Sequence, residues 1–176
     1  MAQVAAYEYA EVDDILARAA AKGEPPFLLM LDEIEDPHNL GSILRTAECT
    51  GVHGVIIPKR RSVGLTATVS KTSAGAVEYV PVARVTNLAQ TIDDLKKKGV
   101  WIAGTDVAAK QPVYDADLTV PIAVVIGNEA KGVGRLVKES CDFLVALPMF
   151  GRLNSLNASV AAGVLMYEVV RQRHRR

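Results

Sequence analysis

Cysteine, aromatic residues and net charge are all scarce in this chain of 176 residues. Two cysteines, Cys49 and Cys141, cannot build a disulfide framework. With no paired Cys/His spacing they form no zinc site either, so both read as reduced and packed, and no metal is expected. One Trp, five Tyr and three Phe are too few for a surface on which unpaired bases stack. Basic and acidic residues balance at 20 each, which argues against a protein that grips nucleic acid by bulk electrostatics. No stretch approaches the ~18 consecutive apolar residues of a membrane span, and the start lacks a signal peptide. The reading is cytoplasmic, with no membrane partner. What remains is ordinary for a globular protein, 49% hydrophobic and 23% charged. A chain of this length hides roughly 70% of its unfolded surface, which excludes disordered and fibrous classes.

The balance of charge conceals local asymmetry. Lys59, Arg60 and Arg61 form one basic cluster, Lys96 to Lys98 a second, and Arg171, Arg173, Arg175 and Arg176 a basic tail. The second cluster closes a helical pattern, where cations suit the dipole. The first follows an apolar strand pattern into a loop, which suits contact with phosphate and simple solvation equally.

Hydrophobic spacing predicts a helix over 11–22, stopped by Gly23, and then a continuous apolar run, 27–31, typical of a strand covered on both faces. Beyond the turn-prone Asp36-Pro-His-Asn39 a helix is expected over 40–50, closed by Gly51. The alternation continues with strand 54–58, a helical patch 66–72, strand 77–82, helix 88–98 ending at Gly99, and strand 100–103. The last third reads as strand 122–126, helix 133–140, strand 143–147 and a long helix 156–171. The fold class is therefore α/β, a mostly parallel sheet with helices on both faces. Such a sheet places its ligand beyond the carboxyl ends of its strands, so chemistry is sought in loops 32–39, 59–65, 104–106, 127–134 and 148–154.

The glycine loop 127–134 is neither standard nucleotide motif. Its glycines fall at 127, 132 and 134, not as G-x-G-x-x-G, which disfavours a Rossmann-like dehydrogenase. Lys131 precedes Gly132, whereas a Walker A lysine follows its glycine. What is left is a tight loop presenting one carboxylate, Glu129, whose charge also suits the start of the next helix. Ser155 or Asn157 fits an N-cap, and the pair, flanking Leu156, also fits a pocket wall. Asn39 reads as an N-cap and Arg45 as a surface charge when each is taken alone. His38 reads as an incidental turn histidine, and His53 has no assigned role.

Together the three loops resemble the signature of the SpoU/TrmH family of RNA ribose 2′-O-methyltransferases in the SPOUT superfamily. Asp36-Pro-x-Asn39-x-Gly41-x-x-x-Arg45-x-Ala47 is similar to the first family motif. Ile126-Gly-Asn-Glu-x-x-Gly132 is similar to the second, and Leu147-Pro-Met149 followed by Ser155-Leu-Asn157-x-Ser159 to the third. Within the family the chain is most similar to bacterial enzymes that methylate a guanosine ribose in 23S ribosomal RNA. Ala5-Ala-Tyr-Glu-Tyr9 and Ser70-Lys-Thr-Ser-Ala-Gly-Ala76 support that likeness.

The resemblance implies S-adenosylmethionine as methyl donor, a homodimer, an RNA partner and a C-terminal trefoil knot forming the cofactor pocket, although physical rules alone argue against knots. It implies a pocket built from Gly104, Thr105, Ile126, Gly127, Leu147, Met149 and Leu156, with Leu147 and Leu156 flanking the adenine. It also implies a catalytic set of Asn39, Arg45, Glu129, Ser155 and Asn157. A guanidinium is a poor base, so Arg45 is expected to polarise the ribose hydroxyl and stabilise its anion. Residues 26–176 are expected to form the catalytic domain, and residues 1–25 a helix and linker left from a missing N-terminal RNA-binding domain. The alternatives are the same reaction on tRNA, or a non-catalytic RNA-binding module on this fold.

Overall fold

A strand without a polar face needs cover on both sides, and β1 (Phe27–Asp32), buried at every position, has it. In the computed structural model, which describes residues 7–175, β1 lies inside a six-stranded sheet. The other strands are β2 (Gly54–Pro58), β3 (Val82–Val85), β4 (Trp101–Thr105), β5 (Ile122–Gly127) and β6 (Phe143–Val145). Their order is β3-β2-β1-β5-β4-β6, and every pairing is parallel. The longest register joins β1 to β5, from Phe27 opposite Ile122 to Asp32 opposite Gly127.

Six helices alternate with the strands: α1 (Val12–Ala21), α2 (Pro37–Thr50), α3 (Ala67–Thr72), α4 (Leu88–Lys97), α5 (Arg135–Ser140) and α6 (Ala158–Arg173). Because side chains alternate along a strand, Phe27, Leu29 and Leu31 enter one core with Leu40, Ile43 and Leu44 of α2 and Leu165 and Met166 of α6. Leu28 and Met30 enter the opposite core, with Ile15 of α1 and Ile92 and Leu95 of α4. Each fully buried aliphatic side chain contributes about 1.5–3 kcal/mol. Two filled faces thus account for a strand that is apolar from Phe27 to Leu31.

Several boundaries differ from the sequence expectations. Asn39 is not the N-cap of α2: the helix begins three residues earlier, with Asp36 accepting from the His38 N–H at 2.8 Å and Pro37 in the first turn. Proline suits that position because its missing N–H would have had no partner there. The strand expected over 77–82 begins only at Val82. Ala76–Glu78 form a single 3-10 turn after Gly75, whose φ is 85°. The carbonyl of Pro81 nonetheless accepts from the Val55 N–H at 2.9 Å, bringing the chain into register. Cys49 is exposed on α2 rather than packed, whereas Cys141 is half-buried. Ala5, Ala6 and Arg176 lie outside the described residues.

The long C-terminal helix is apolar on two faces. Ala158, Ala162, Leu165, Met166 and Val169 are buried, while Val160, Val164 and Tyr167 are 52%, 37% and 55% exposed. Its end is fixed by Arg173, which donates to the carbonyls of Pro25 (2.7 Å), Pro26 (3.0 Å) and Val120 (2.8 Å). Among the described residues no helix is long and apolar enough to cross a membrane.

Candidate functional site

The carboxyl ends of β4, β5 and β6 open into a cleft of about 240 Å³. The loop leaving β5 forms its floor. Asn128 Oδ1 accepts the N–H groups of Ala130 (2.9 Å) and Lys131 (2.8 Å), and the Gly132 N–H returns to the Asn128 carbonyl at 2.7 Å. This folds the loop so closely that a Cβ on Gly127 would lie 2.1 Å from the Gly132 carbonyl carbon. Only glycine permits that approach. Asp32, at the end of β1, accepts the Gly134 N–H at 2.7 Å and holds the far side of the loop. Burial raises the Asp32 pKa, against the opposing pull of that hydrogen bond, and the charge of Glu33 adds to the rise.

The second wall comes from the segment leaving β6. Leu147, Met149 and Leu156 line the cleft together with Ile126 and Leu165. The rim is polar. Thr105 donates to the Val125 carbonyl at 2.9 Å, and the next residue, Asp106, pairs with Lys138 of α5 at 3.0 Å. The Asp106 carboxyl is held below its ordinary range, first by the Ala108 N–H and then by Lys138. Apolar walls with a few fixed polar groups suit a small-molecule ligand whose orientation those groups set.

Of the expected cofactor residues, Thr105, Ile126, Gly127, Leu147, Met149 and Leu156 line the cleft. Gly104 does not: it lies one residue back in β4, where a Cβ would meet Cys141 and Leu144. Of the expected catalytic residues, Glu129 and Ser155 line it. Asn39 and Asn157 do not line it and meet each other instead, with Asn157 Nδ2 donating to Asn39 Oδ1 at 3.1 Å. Asn157 is also the N-cap of α6, its Oδ1 accepting from the N–H groups of Ser159 and Val160. Glu129 is six residues from α5, whose N-cap is Gly134, so its carboxylate is not a helix-start charge. Arg45 is exposed on α2 and does not line the cleft of its own chain.

Three participants escaped the sequence reading. Asp32 and Asp106 fall inside loops 32–39 and 104–106 but carry no motif of their own, and Lys138 lies 32 residues beyond Asp106. Position is the available signal for two of them, since Asp32 ends β1 and Asp106 follows β4 at carboxyl ends that this fold class uses for ligands, whereas Lys138 lies inside α5.

The family model described as the SpoU rRNA methylase family matches residues 26–167. A TrmH family tRNA/rRNA methyltransferase of Bacillus subtilis is 62% identical over 174 residues, covering 99% of this chain and 70% of that protein. The SpoU methyltransferase AviRb of Streptomyces viridochromogenes, solved in complex with the cofactor AdoMet, superposes with a TM-score of 0.84 at 31% identity. That match covers 94% of this chain and 66% of the AviRb chain, just under two thirds. A TrmH/SpoU tRNA modifying enzyme of A. aeolicus superposes with a TM-score of 0.75 at 27% identity, covering 92% of this chain and 83% of that one.

Proposed function

The chain belongs to the SpoU rRNA methylase family, and from that premise we propose that it is an S-adenosylmethionine-dependent methyltransferase acting on a ribose 2′-hydroxyl of RNA. The guanosine of 23S ribosomal RNA is the substrate this reading favours. The observation that carries it is the cleft at the ends of β4 to β6, where loops from all three strands meet around apolar walls and a polar rim. AviRb, which shares this fold, holds AdoMet. In this chain Ile126, Leu147 and Leu156 would hold the adenine, with Gly127 bringing main chain close to it. The bound cofactor supplies a sulfonium methyl group, an electrophile needing no further activation.

The chain's own task lies with the nucleophile. A ribose hydroxyl is weak at neutral pH, and a guanidinium beside it stabilises the alkoxide as charge develops. Arg45 takes that role. Since it does not reach its own cleft, it serves the cleft of a second copy in a homodimer. The exposed apolar stripe of α6 supplies the face on which that copy docks, and Thr46, next to Arg45, lies against Gly163 of the same helix. Glu129 and Ser155 position the ribose, while Asn39 and Asn157 fix the start of α6. Residues 26–176 form the catalytic domain with its C-terminal knot, residues 1–25 its N-terminal extension, and the enzyme works in the cytoplasm among its RNA substrates.

Calorimetric titration with S-adenosylmethionine, with NAD as comparator, tests the pocket. Saturation near one per subunit for the first and none for the second is expected. Mass spectrometry of digested RNA after incubation then reads the product, a 2′-O-methylguanosine in 23S RNA. A methylated tRNA would move the substrate to the class named for the A. aeolicus relative. Retained RNA binding without S-adenosylmethionine binding would leave a non-catalytic module.

A further inference from the structure

Among the described residues Asp106 is the one carboxylate at the cleft rim that is both fixed and partly sheltered. Its side chain is 19% exposed. Oδ1 accepts the Ala108 N–H at 3.0 Å, and Oδ2 lies 3.0 Å from Lys138 Nζ. Glu129, the other acidic residue of the rim, is exposed on its loop. A carboxylate offers about four acceptor positions, two on each oxygen. Two are used here, so each Asp106 oxygen keeps one, side by side. That is the acceptor pattern of a vicinal diol, whose adjacent hydroxyls donate in parallel, the same chemistry by which acidic residues hold nucleotide riboses in other α/β folds.

Charge separates this from the other polar end of the ligand. Lys138 already neutralises Asp106, so the pair presents little net charge to attract an ammonium group. Its remaining capacity is for neutral donors. We propose that Asp106, held by Lys138, receives the ribose diol of the methyl donor and is the polar anchor that sets the depth of its adenosine in the cleft. This assignment rests on the S-adenosylmethionine reading above. Lys138 acts as a positioning residue, because its ammonium, 3.0 Å from Oδ2, fixes the carboxylate that receives the diol.

The test uses two ligands that share adenine and ribose but differ in the amino-acid tail. S-adenosylmethionine has the tail, and 5′-methylthioadenosine lacks it. Both are titrated calorimetrically into the wild-type protein, Asp106→Ala and Asp106→Asn, with thermal melts confirming that each variant is folded. Asp106→Ala should weaken both ligands by the same factor, about ten- to hundredfold, as for loss of hydrogen bonds to a charged group. Asp106→Asn, which retains one acceptor oxygen, should fall between. Equal affinities in wild type and variants would overturn the assignment, as would a loss confined to S-adenosylmethionine, which would place Asp106 at the ammonium. Wild-type binding to S-adenosylmethionine with none to 5′-methylthioadenosine would also overturn it, because the anchor would then lie in the tail. A wild-type protein that binds neither ligand sinks the methyltransferase pocket itself, a failure distinct from the other three.

Discussion

Asn157 and Asn39, 118 residues apart in the chain, are joined by one hydrogen bond of 3.1 Å from Asn157 Nδ2 to Asn39 Oδ1. The cap fixes its polarity. Asn157 Oδ1 is committed to the N–H groups of Ser159 and Val160 at 2.9 and 3.3 Å, so only the amide nitrogen faces Asn39. The first and third motifs are thereby tied at the point where α6 begins.

A double-mutant cycle should find the two residues coupled. Asn157→Ala removes a cap and should cost about 0.5–2 kcal/mol. Asn39→Ala should cost about 0.5–1.5 kcal/mol, and the double variant less than the sum. Additive losses in urea unfolding would mean that the bond contributes nothing.

Gly127→Ala should abolish ligand binding. The added methyl would meet the backbone of Gly132 and Val133 rather than a movable side chain, so the loop must open. A destabilisation of about 1–3 kcal/mol is expected from such overpacking. Calorimetry and thermal melting on one sample check both effects.

The exposed stripe Val160, Val164 and Tyr167 recurs at helical spacing along α6. Val164→Glu should give a folded monomer by light scattering, since a charge on that face must be desolvated to re-form the contact. Mixing an Arg45→Ala subunit with a subunit disabled in its own cleft by Gly127→Ala should then restore part of the activity. Mixed dimers without activity would count against Arg45 acting across the contact.

Stability should fall with acid through His53. Its Nδ1 accepts the Phe27 N–H at 2.9 Å, which leaves the ring proton on Nε2, 3.2 Å from Glu24. Protonating Nδ1 would deprive a buried N–H of its acceptor. Burial lowers the His53 pKa below its ordinary 6.5, opposed by Glu24. The unfolded chain therefore takes up the proton first. This contribution is complete above about pH 6.5 and is lost as pH falls through the lower folded value. His53→Gln should flatten that slope in urea midpoints measured between about pH 7.5 and 5. An unchanged slope would assign the acid sensitivity elsewhere.

The two thiols should separate cleanly. Cys49 is exposed, whereas burial, with the charge of Asp142, pushes the Cys141 thiol up to about 11. Native protein at about pH 8 should take up one equivalent of iodoacetamide and a second only on unfolding, because the thiolate is the nucleophile. Rapid double labelling, read by mass spectrometry, would contradict this.

Burial pattern and turn chemistry are local properties, and they were legible in the chain. The apolar run at β1, the helix ends at Gly51 and Gly99 and the alternation of strands and helices follow from residue type and spacing. So do the three motif loops at strand ends. The segment 77–82 reads as a strand because Val77, Val80 and Val82 are strand formers, whereas Gly75, with its positive φ, turns the chain into a 3-10 turn and delays β3 to Val82. Asn39 looked like a cap because cap residues are interchangeable in sequence, and only the backbone shows which one comes first. The cleft depended on contacts that no spacing records. Asp32 on Gly134, Lys138 on Asp106 and Asn157 on Asn39 join positions 102, 32 and 118 residues apart. Residue type and spacing determined most of the elements, because apolar periodicity and turn chemistry are written along the chain. Tertiary structure alone decided which polar groups meet, because a hydrogen bond needs two atoms within about 3 Å, and that distance is set by how the sheet orders its strands.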